Sequence, residues 1–380
     1  MRERSSRPDN RAGCPEIARL SPATTHRDVP AAPSRSLHWR GDELSHHPSD
    51  VRIERPDDAH DRIAGRPVNG LVLAVDLGGT KVEAALVDAA GEILDGSRGR
   101  AATGSAASSD ELAAAVRTVV AGALAALPAG TALLGAGIGS AGPIRVADGL
   151  VSPLNLPAWR DYPLRDLVAD LVAPLAPAAP VVLRMDGECI TLAEHWIGAA
   201  RGADNLMGMV VSTGIGGGLV LGGRAVAGPT GNAGHIGHVE VGGADVACLC
   251  GGTGCVEAVA SGPRTTAWAR EQGWTGATGE DLAASHAAGD PIAIAAVERA
   301  GRAIGQAIAS ATALVDLDLV AIGGGFSHVS PALFDHVRAA IAARAPFPFV
   351  AKVRVVPSGL SGTGPLVGAA ALIHRADHRS

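Results

Sequence analysis

Two histidines and three cysteines fall within one Gly-rich segment, GHIGHVEVGGADVACLCGGTGC over 234–255. Imidazole nitrogen and thiolate sulfur are the donors that borderline and soft cations select. The pattern H-x-x-H followed by C-x-C-x4-C offers three sulfurs and a choice of nitrogens, a set suited to tetrahedral Zn2+. Four protein ligands leave no open position for a reacting water, so the ion expected here is structural. Three further stretches, DLGGT (76–80), STGIGGG (212–218) and IGGGF (322–326), each follow an apolar run. Consecutive glycines let a backbone approach a ligand closely and turn several N–H groups toward one anion. One such turn is also how a tight hairpin is made; three of them, each at the end of a strand, point to a nucleotide polyphosphate. None has the form G-x-x-x-x-G-K-[ST], and none shows a full G-x-G-x-x-G opening a helix, which argues against Walker and dinucleotide sites. Asp186 closes the apolar run VVLRMD and precedes a helical pattern. A carboxylate there is either a helix N-cap or a general base facing a cleft.

These residues need a folded frame, and the composition supplies one. With 380 residues, 47% hydrophobic and 18% charged, the chain can bury one large core or two ordinary ones. A formal charge of −6 and an aromatic content of 3% give neither a basic face nor stacking platforms for nucleic acid. No apolar run is long enough for a membrane span, and the start MRERSSRPDN has no secretory h-region. Cysteines clustered for a metal rather than paired along the chain suggest a reducing cytoplasm. Residues 1–69 are rich in Arg, Pro, Ser, Asp and His without apolar period, which reads as a disordered extension, with Val68 a candidate alternative start.

From Leu71 the pattern is α/β. LVLAVD, a Gly turn and KVEAALVD form a hairpin, with a third strand expected near Ile93. A helix follows over 110–127, then a buried strand ALLGAGIGS leaving through a Gly-Pro loop, then VVLRMD. The helix after Asp186 is expected to run to a Gly202 cap. At Leu206 the order apolar strand, Gly turn, apolar strand starts again, which suggests two similar halves facing a cleft. A long Ala-rich helix from Pro291 to Val315, the strand DLVAIGGGF, a helix from Pro331, a strand near Val353 and a helix from Pro365 complete the alternation.

Taken together, AVDLGGTKVEAALVD, STGIGGGLV, GNAGHIGHVEV, CLCGGTGCVEAVASG and LVAIGGGF resemble the ROK family of sugar kinases and sugar-responsive repressors. The likeness runs in order from Leu71 to about Ala371. It implies an α/β, two-domain hexokinase/actin-like ATPase (ribonuclease H-like) fold with a cleft between domains. The expected division is 71–185, joined by a closing helix at about 364–376, and 186–363, which carries the zinc loop. ATP would lie between the domains, held by Asp76, Gly78, Gly79, Thr80 and Lys81 of the first turn and Thr213, Gly214, Gly216 and Gly217 of the second. Gly324 and Gly325 would lie near the adenosine, and Asp76 would position Mg2+. Asp186 falls where the family places its catalytic base, taking the proton from the 6-hydroxyl of a bound hexose. Gly142, Pro143, Asn155, His235, His238 and Glu257 fall at sugar-contacting positions. With His238 keeping the family's histidine, the zinc set becomes His238, Cys248, Cys250 and Cys255, and His235 passes to the sugar side.

The sequence departs from the family pattern at two places. It reads Met-Asp-Gly-Glu where Asn-Asp-Ala-Asn is usual, so Met185 removes a hydrogen-bonding group and Glu188 adds a carboxylate. His235 stands where a glutamate is usual, as in bacterial N-acetylmannosamine kinases. A carboxylate beside the sugar would pair with an ammonium group, so an aminohexose such as 3-amino-3-deoxyglucose (kanosamine) is the expected substrate beside glucose. The alternatives are an N-acetylmannosamine or other N-acetylhexosamine kinase and a non-catalytic sugar-responsive regulator. The region before Leu71 lacks the amphipathic helix pair that a DNA-binding regulator requires. The resemblance further implies a homodimer or homotetramer, with sugar and ATP as the small-molecule partners and neither nucleic acid nor membrane.

Overall fold

Two five-stranded sheets of the same order and strand directions frame the molecule. The computed structural model describes residues 70–344, 346–360 and 362–378, so the expected extension over 1–69 lies outside the described residues. The first sheet comprises β1 (Gly70–Leu77), β2 (Lys81–Val87), β3 (Gly99–Ala102), β4 (Ala132–Ser140) and β7 (Val181–Met185), in the order β3-β2-β1-β4-β7. The short pair β5 (Ile144–Arg145) and β6 (Leu150–Val151) stands apart from it. The second sheet comprises β8 (Leu206–Val211), β9 (Ile215–Leu221), β10 (Arg224–Ala225), β11 (Leu319–Gly323) and β12 (Arg354–Pro357), in the order β10-β9-β8-β11-β12. In each sheet the first strand pairs antiparallel with its hairpin partner and parallel with the next strand. The internal repeat read from Leu71 and Leu206 is therefore a repeat of topology.

Ten helices are assigned among the described residues: α1 (Ser109–Ala125), α2 (Leu164–Val172), α3 (Asp186–Trp196), α4 (Val256–Ala260), α5 (Gly262–Glu271), α6 (Gly279–Ala287), α7 (Pro291–Val315), α8 (Ala332–Ala342), α9 (Pro348–Ala351) and α10 (Gly364–His374). The period of two along the strands sorts their side chains between layers. Leu71, Leu73, Val75 and Leu77 of β1 join a core with α1 and α2. Val72 and Ala74 face the other way, into a core shared by α3, α10 and strands of both sheets. In the second sheet Leu319 and Ala321 enter that shared core, while Val320 and Ile322 pack with α7 and α8 on the outer side. Helices α3 and α10 thus lie between the sheets.

That central layer is dense because glycines allow backbone to meet backbone. A Cβ on Gly368 of α10 would lie 1.7 Å from the Cys189 carbonyl oxygen, and one on Gly187 of α3 would lie 2.1 Å from that of Gly217. Helix starts follow local chemistry. Ser108 and Glu111 form a capping box at α1, and Asp290 accepts from the N–H groups of Ile292 and Ala293 at α7.

The structure departs from the pattern at three points. Ile93 makes only an isolated bridge to Val87, and the third strand is Gly99–Ala102. Helix α3 stops at Trp196, well short of Gly202. The buried Glu194 carboxylate draws the chain out of the helix by accepting from the Ala199, Gly359 and Leu360 N–H groups. The pattern did not single out α2, α4, α5, α6 and α9, each of ten residues or fewer.

Candidate active site

A cleft of about 280 Å³ opens where the two hairpin turns face one another. The β1–β2 turn contributes Gly78, Gly79, Thr80 and Lys81, and the β8–β9 turn contributes Thr213, Gly214, Gly216 and Gly217. Asp76 near the end of β1 and Asp186 just past β7 stand at the carboxyl ends of their strands, where α/β folds gather ligands. Gly142, Asn155, His235, His238 and Glu257 complete the set of expected residues that line it. Positions spread over 180 residues of sequence therefore converge on one site.

The cleft concentrates unneutralised acid. Burial, reinforced by the charge of Asp186, pushes Asp76 up to about 7. Burial also pushes Asp186 up to about 6, with Glu257 adding to the rise and the Gly187 N–H, donated to Asp186 Oδ1 at 2.7 Å, opposing it. A carboxylate held near 6 is ionised at neutral pH yet basic enough to take a hydroxyl proton. Three acids around one cleft also make a dication with bound phosphates a fitting occupant. Lys81 pairs with the buried Glu83, which Arg98 also contacts at 3.0 Å, so the lysine is anchored at the rim.

The cleft wall around Gly142 is closely fitted. A Cβ on Gly142 would sit 3.0 Å from His235 Nε2 and 3.1 Å from Met185 Sδ, which brings those two side chains together at the Gly142 turn. A Cβ on Gly79 would lie 2.8 Å from Asn155 Cβ, so the phosphate-side turn and Asn155 are in register. Glu257 Oε2 accepts from the Ile215 N–H at 2.8 Å, which ties α4 to the second hairpin turn. Burial, with the nearby His238 second, lowers the pKa of His235 and favours its neutral form.

Three expected site residues stand elsewhere. Glu188 does not line the cleft; it is 1% exposed and faces Arg184, with Nε to Oε1 at 3.3 Å. The reason is helical phase, since residues two apart on α3 point to opposite sides when Asp186 faces the cleft. Burial pushes Glu188 up to about 7 against the lowering effect of Arg184. Pro143 is not among the lining residues, and Gly324 packs instead on the Val211 carbonyl, where its φ of 92° is suited to glycine. The glycine at 217 likewise has a packing role, since a Cβ there would meet the Gly208 carbonyl at 2.8 Å.

A second cavity of about 620 Å³ adjoins the first through the shared Ser212 and Thr213. Gly325 lines it, together with Thr266, Arg270, Glu280, Phe326 and His328. An aromatic ring with polar groups around it, next to a phosphate-type turn, suits a purine nucleoside. Thr266, Arg270 and Glu280 carry no motif in the chain, since α5 and α6 bring them there, whereas Phe326 closes the IGGGF turn and His328 follows it.

The Cys/His segment folds into a compact hairpin. Cys248, Cys250, Cys255 and His238 hold their donor atoms within 4.8 Å of one another. Cys248 Sγ to His238 Nδ1 is 3.7 Å and Cys250 Sγ to Cys255 Sγ is 3.6 Å. Zn–S bonds near 2.3 Å and Zn–N near 2.0–2.1 Å require tetrahedral edges of about 3.6–3.8 Å, so the donor set fits zinc. Burial and the neighbouring thiols push Cys255 up to about 12, whereas the Gly252 N–H lowers Cys250. His235 is outside the donor cluster, and its ring centroid is 5.6 Å from that of His238.

The chain is similar to known proteins in sequence and in fold. A solved ROK family glucokinase from Streptomyces griseus, in complex with glucose and AMPPNP, superposes with a TM-score of 0.67 at 28% identity, covering 80% of this chain and 100% of that one. An N-acetylmannosamine kinase of Yersinia pseudotuberculosis is 35% identical over 259 residues, 67% of this chain and 83% of that protein. A glucokinase of Halalkalibacterium halodurans is 31% identical over 289 residues, 70% of this chain and 83% of that protein. The fold is that of the hexokinase/actin-like ATPases. The sequence model of the ROK family matches residues 72–376, and the chain belongs to that family.

Proposed function

We propose that this protein is an ATP-dependent sugar kinase that phosphorylates the 6-hydroxyl of a hexose or N-acetylhexosamine. The observation that carries the reading is Asp186 standing in the cleft between two glycine turns, with its pKa raised to about 6. In the reaction the sugar oxygen forms a bond to the γ-phosphorus, the bridging P–O bond to ADP breaks, and the hydroxyl proton passes to the Asp186 carboxylate. The two turns offer backbone N–H groups to the phosphates, and Lys81 adds positive charge at the rim. Asp76 would hold Mg2+, which when bound neutralises charge on the transferring phosphoryl group. The two sheets serve as the two halves of the cleft, in the division 71–185 with the closing helix, and 186–363.

Zinc on His238, Cys248, Cys250 and Cys255 would be structural. His238 Nδ1 faces the sulfurs, so its Nε2 is free to meet the sugar, and the histidine couples the metal to the substrate wall. A homodimer or homotetramer is the assembly that the family resemblance supports, to be read by light scattering.

Among substrates, the expected ammonium-bearing sugar loses its support. Glu188 faces Arg184, so the carboxylate expected to pair with an amino group is turned away from the cleft. Met185 beside a neutral His235 favours an uncharged sugar, glucose or N-acetylmannosamine. Coupled ADP release measured with glucose, N-acetylmannosamine, glucosamine and kanosamine tests this. The expected result is a higher kcat/KM for one of the two neutral sugars; kanosamine leading the panel would restore the amino-sugar reading. Inactivity on every sugar, together with specific DNA binding, would favour the regulator alternative.

A further inference from the structure

Leu249 lies between two proposed metal ligands, Cys248 and Cys250, at the tip of the zinc-loop hairpin. The tip is rigidly built. Cys248 N–H donates to the Gly252 carbonyl at 2.9 Å, Gly251 N–H to the Cys248 carbonyl at 3.1 Å, and Ala247 bridges Thr253. With the flanking thiols turned toward the donor cluster, the residue between them is thrust outward, and Leu249 is 74% exposed. That exposed leucine lines the active-site cleft.

A second leucine does the same from another part of the chain. Leu154, 41% exposed, lines the cleft from the loop after β6 and immediately precedes Asn155. Its N–H donates to the carbonyl of Gly142, which itself lines the cleft. Among the described residues, the other large exposed apolar side chains lie outside this cleft. Two exposed leucines on separate hydrogen-bonded segments therefore mark one mouth.

We propose that Leu249 and Leu154 form an apolar rim that covers the bound sugar and keeps water from the transferring phosphoryl group. This rests on the sugar-kinase reading above. The rim contributes in two ways. It buries the C–H face of the sugar against apolar surface, which strengthens sugar binding. It also removes the competing acceptor, since a water admitted to the site would form the new O–P bond in place of the sugar oxygen, releasing ADP and inorganic phosphate. The zinc ligands set where one half of the rim stands, which links the metal to catalysis without a direct chemical role.

The test uses the full chain with Leu249→Ser and, separately, Leu154→Ser. Sugar 6-phosphate and inorganic phosphate are both measured, alongside zinc content. Each variant is expected to raise the sugar KM about fivefold, the scale of a lost apolar contact. Each is also expected to raise the ratio of phosphate released to sugar phosphorylated, with the ATP KM unchanged. Leu154→Ser leaves the zinc loop untouched, so it decides the matter if Leu249→Ser loses metal. Exposed Leu175, outside the cleft, is the control, and Leu175→Ser should match wild type. An active wild type with unchanged sugar KM and coupling in the Leu154→Ser variant overturns the rim. A wild type that phosphorylates no sugar overturns the kinase reading and the rim with it.

Discussion

Asp186 combines three properties that a general base needs: a fixed carboxylate, access to the cleft and a raised pKa. Gly187 N–H fixes one oxygen at 2.7 Å. Asp186→Asn should lower kcat by about 10²–10⁴-fold while changing the sugar dissociation constant only a few-fold. Unchanged turnover would remove Asp186 from the role of base. Its pKa of about 6 also predicts the acid limb of the pH profile. The base must be ionised, so kcat/KM should fall about tenfold per unit below pH 6 and flatten above it; a limb near pH 4 would contradict this. Asp76 carries the complementary cost. Its folded pKa of about 7 lies above the ordinary 3.8, so the folded state keeps a proton that the unfolded chain releases. That contribution is fully present below about pH 4 and is lost as pH rises through 7. Asp76→Asn should therefore gain stability relative to wild type, on the order of 4 kcal/mol more at pH 8 than at pH 4 in metal-free buffer, while losing activity. Denaturation curves at the two pH values that show no pH-dependent gain would count against the burial argument.

At the scale of elements, the glycine turns have two tasks that the sequence shows as one. Gly78, Gly214 and Gly216 line the cleft, Gly218 lets α3 lie directly on β9, and Gly187 and Gly217 do both. Gly187→Ala should destabilise the protein by about 1–3 kcal/mol, since its Cβ would stand 2.1 Å from the Gly217 carbonyl oxygen; a chemical-denaturation midpoint equal to wild type would show that the layer can shift. The zinc loop should behave as a brace. Chelation is expected to lower Tm and raise the sugar KM more than the ATP KM, and readdition of zinc should reverse both. Equal kinetics with and without the metal would separate the brace from the site. Much of this was legible in the chain. The hairpins, α7, the strand-end aspartates and the three clustered cysteines rest on local patterns, whereas the choice of His238 over His235 rests on the family resemblance. Glu188 was not, because its direction depends on the phase of α3 as it leaves β7 and on Arg184 waiting behind it. Gly202 failed as a cap because distant Ser358–Leu360 contacts of Glu194, invisible in local sequence, end the helix first. The nucleoside-side residues of α5 and α6 carry no motif at all, and only folding assembles them.

Across the whole molecule, two sheets of one topology share a central layer of α3 and α10, and the cleft opens where their hairpin turns meet. Each sheet brings one glycine turn, the first adds Asp76 and the strand leading to Asp186, and the segment after the second adds the metal loop. The cavity holding Phe326 continues the cleft on the far side of Thr213, placing a larger cavity beside a smaller one. The central claim is that ATP and a hexose react there, with Asp186 accepting the proton. The most direct test incubates wild type and Asp186→Asn with ATP, Mg2+ and each neutral sugar and identifies the product by phosphorus and proton NMR. The account predicts a sugar phosphorylated at the 6-hydroxyl with wild type and little or none with the variant. Phosphate at another hydroxyl, or equal product from both proteins, would contradict it.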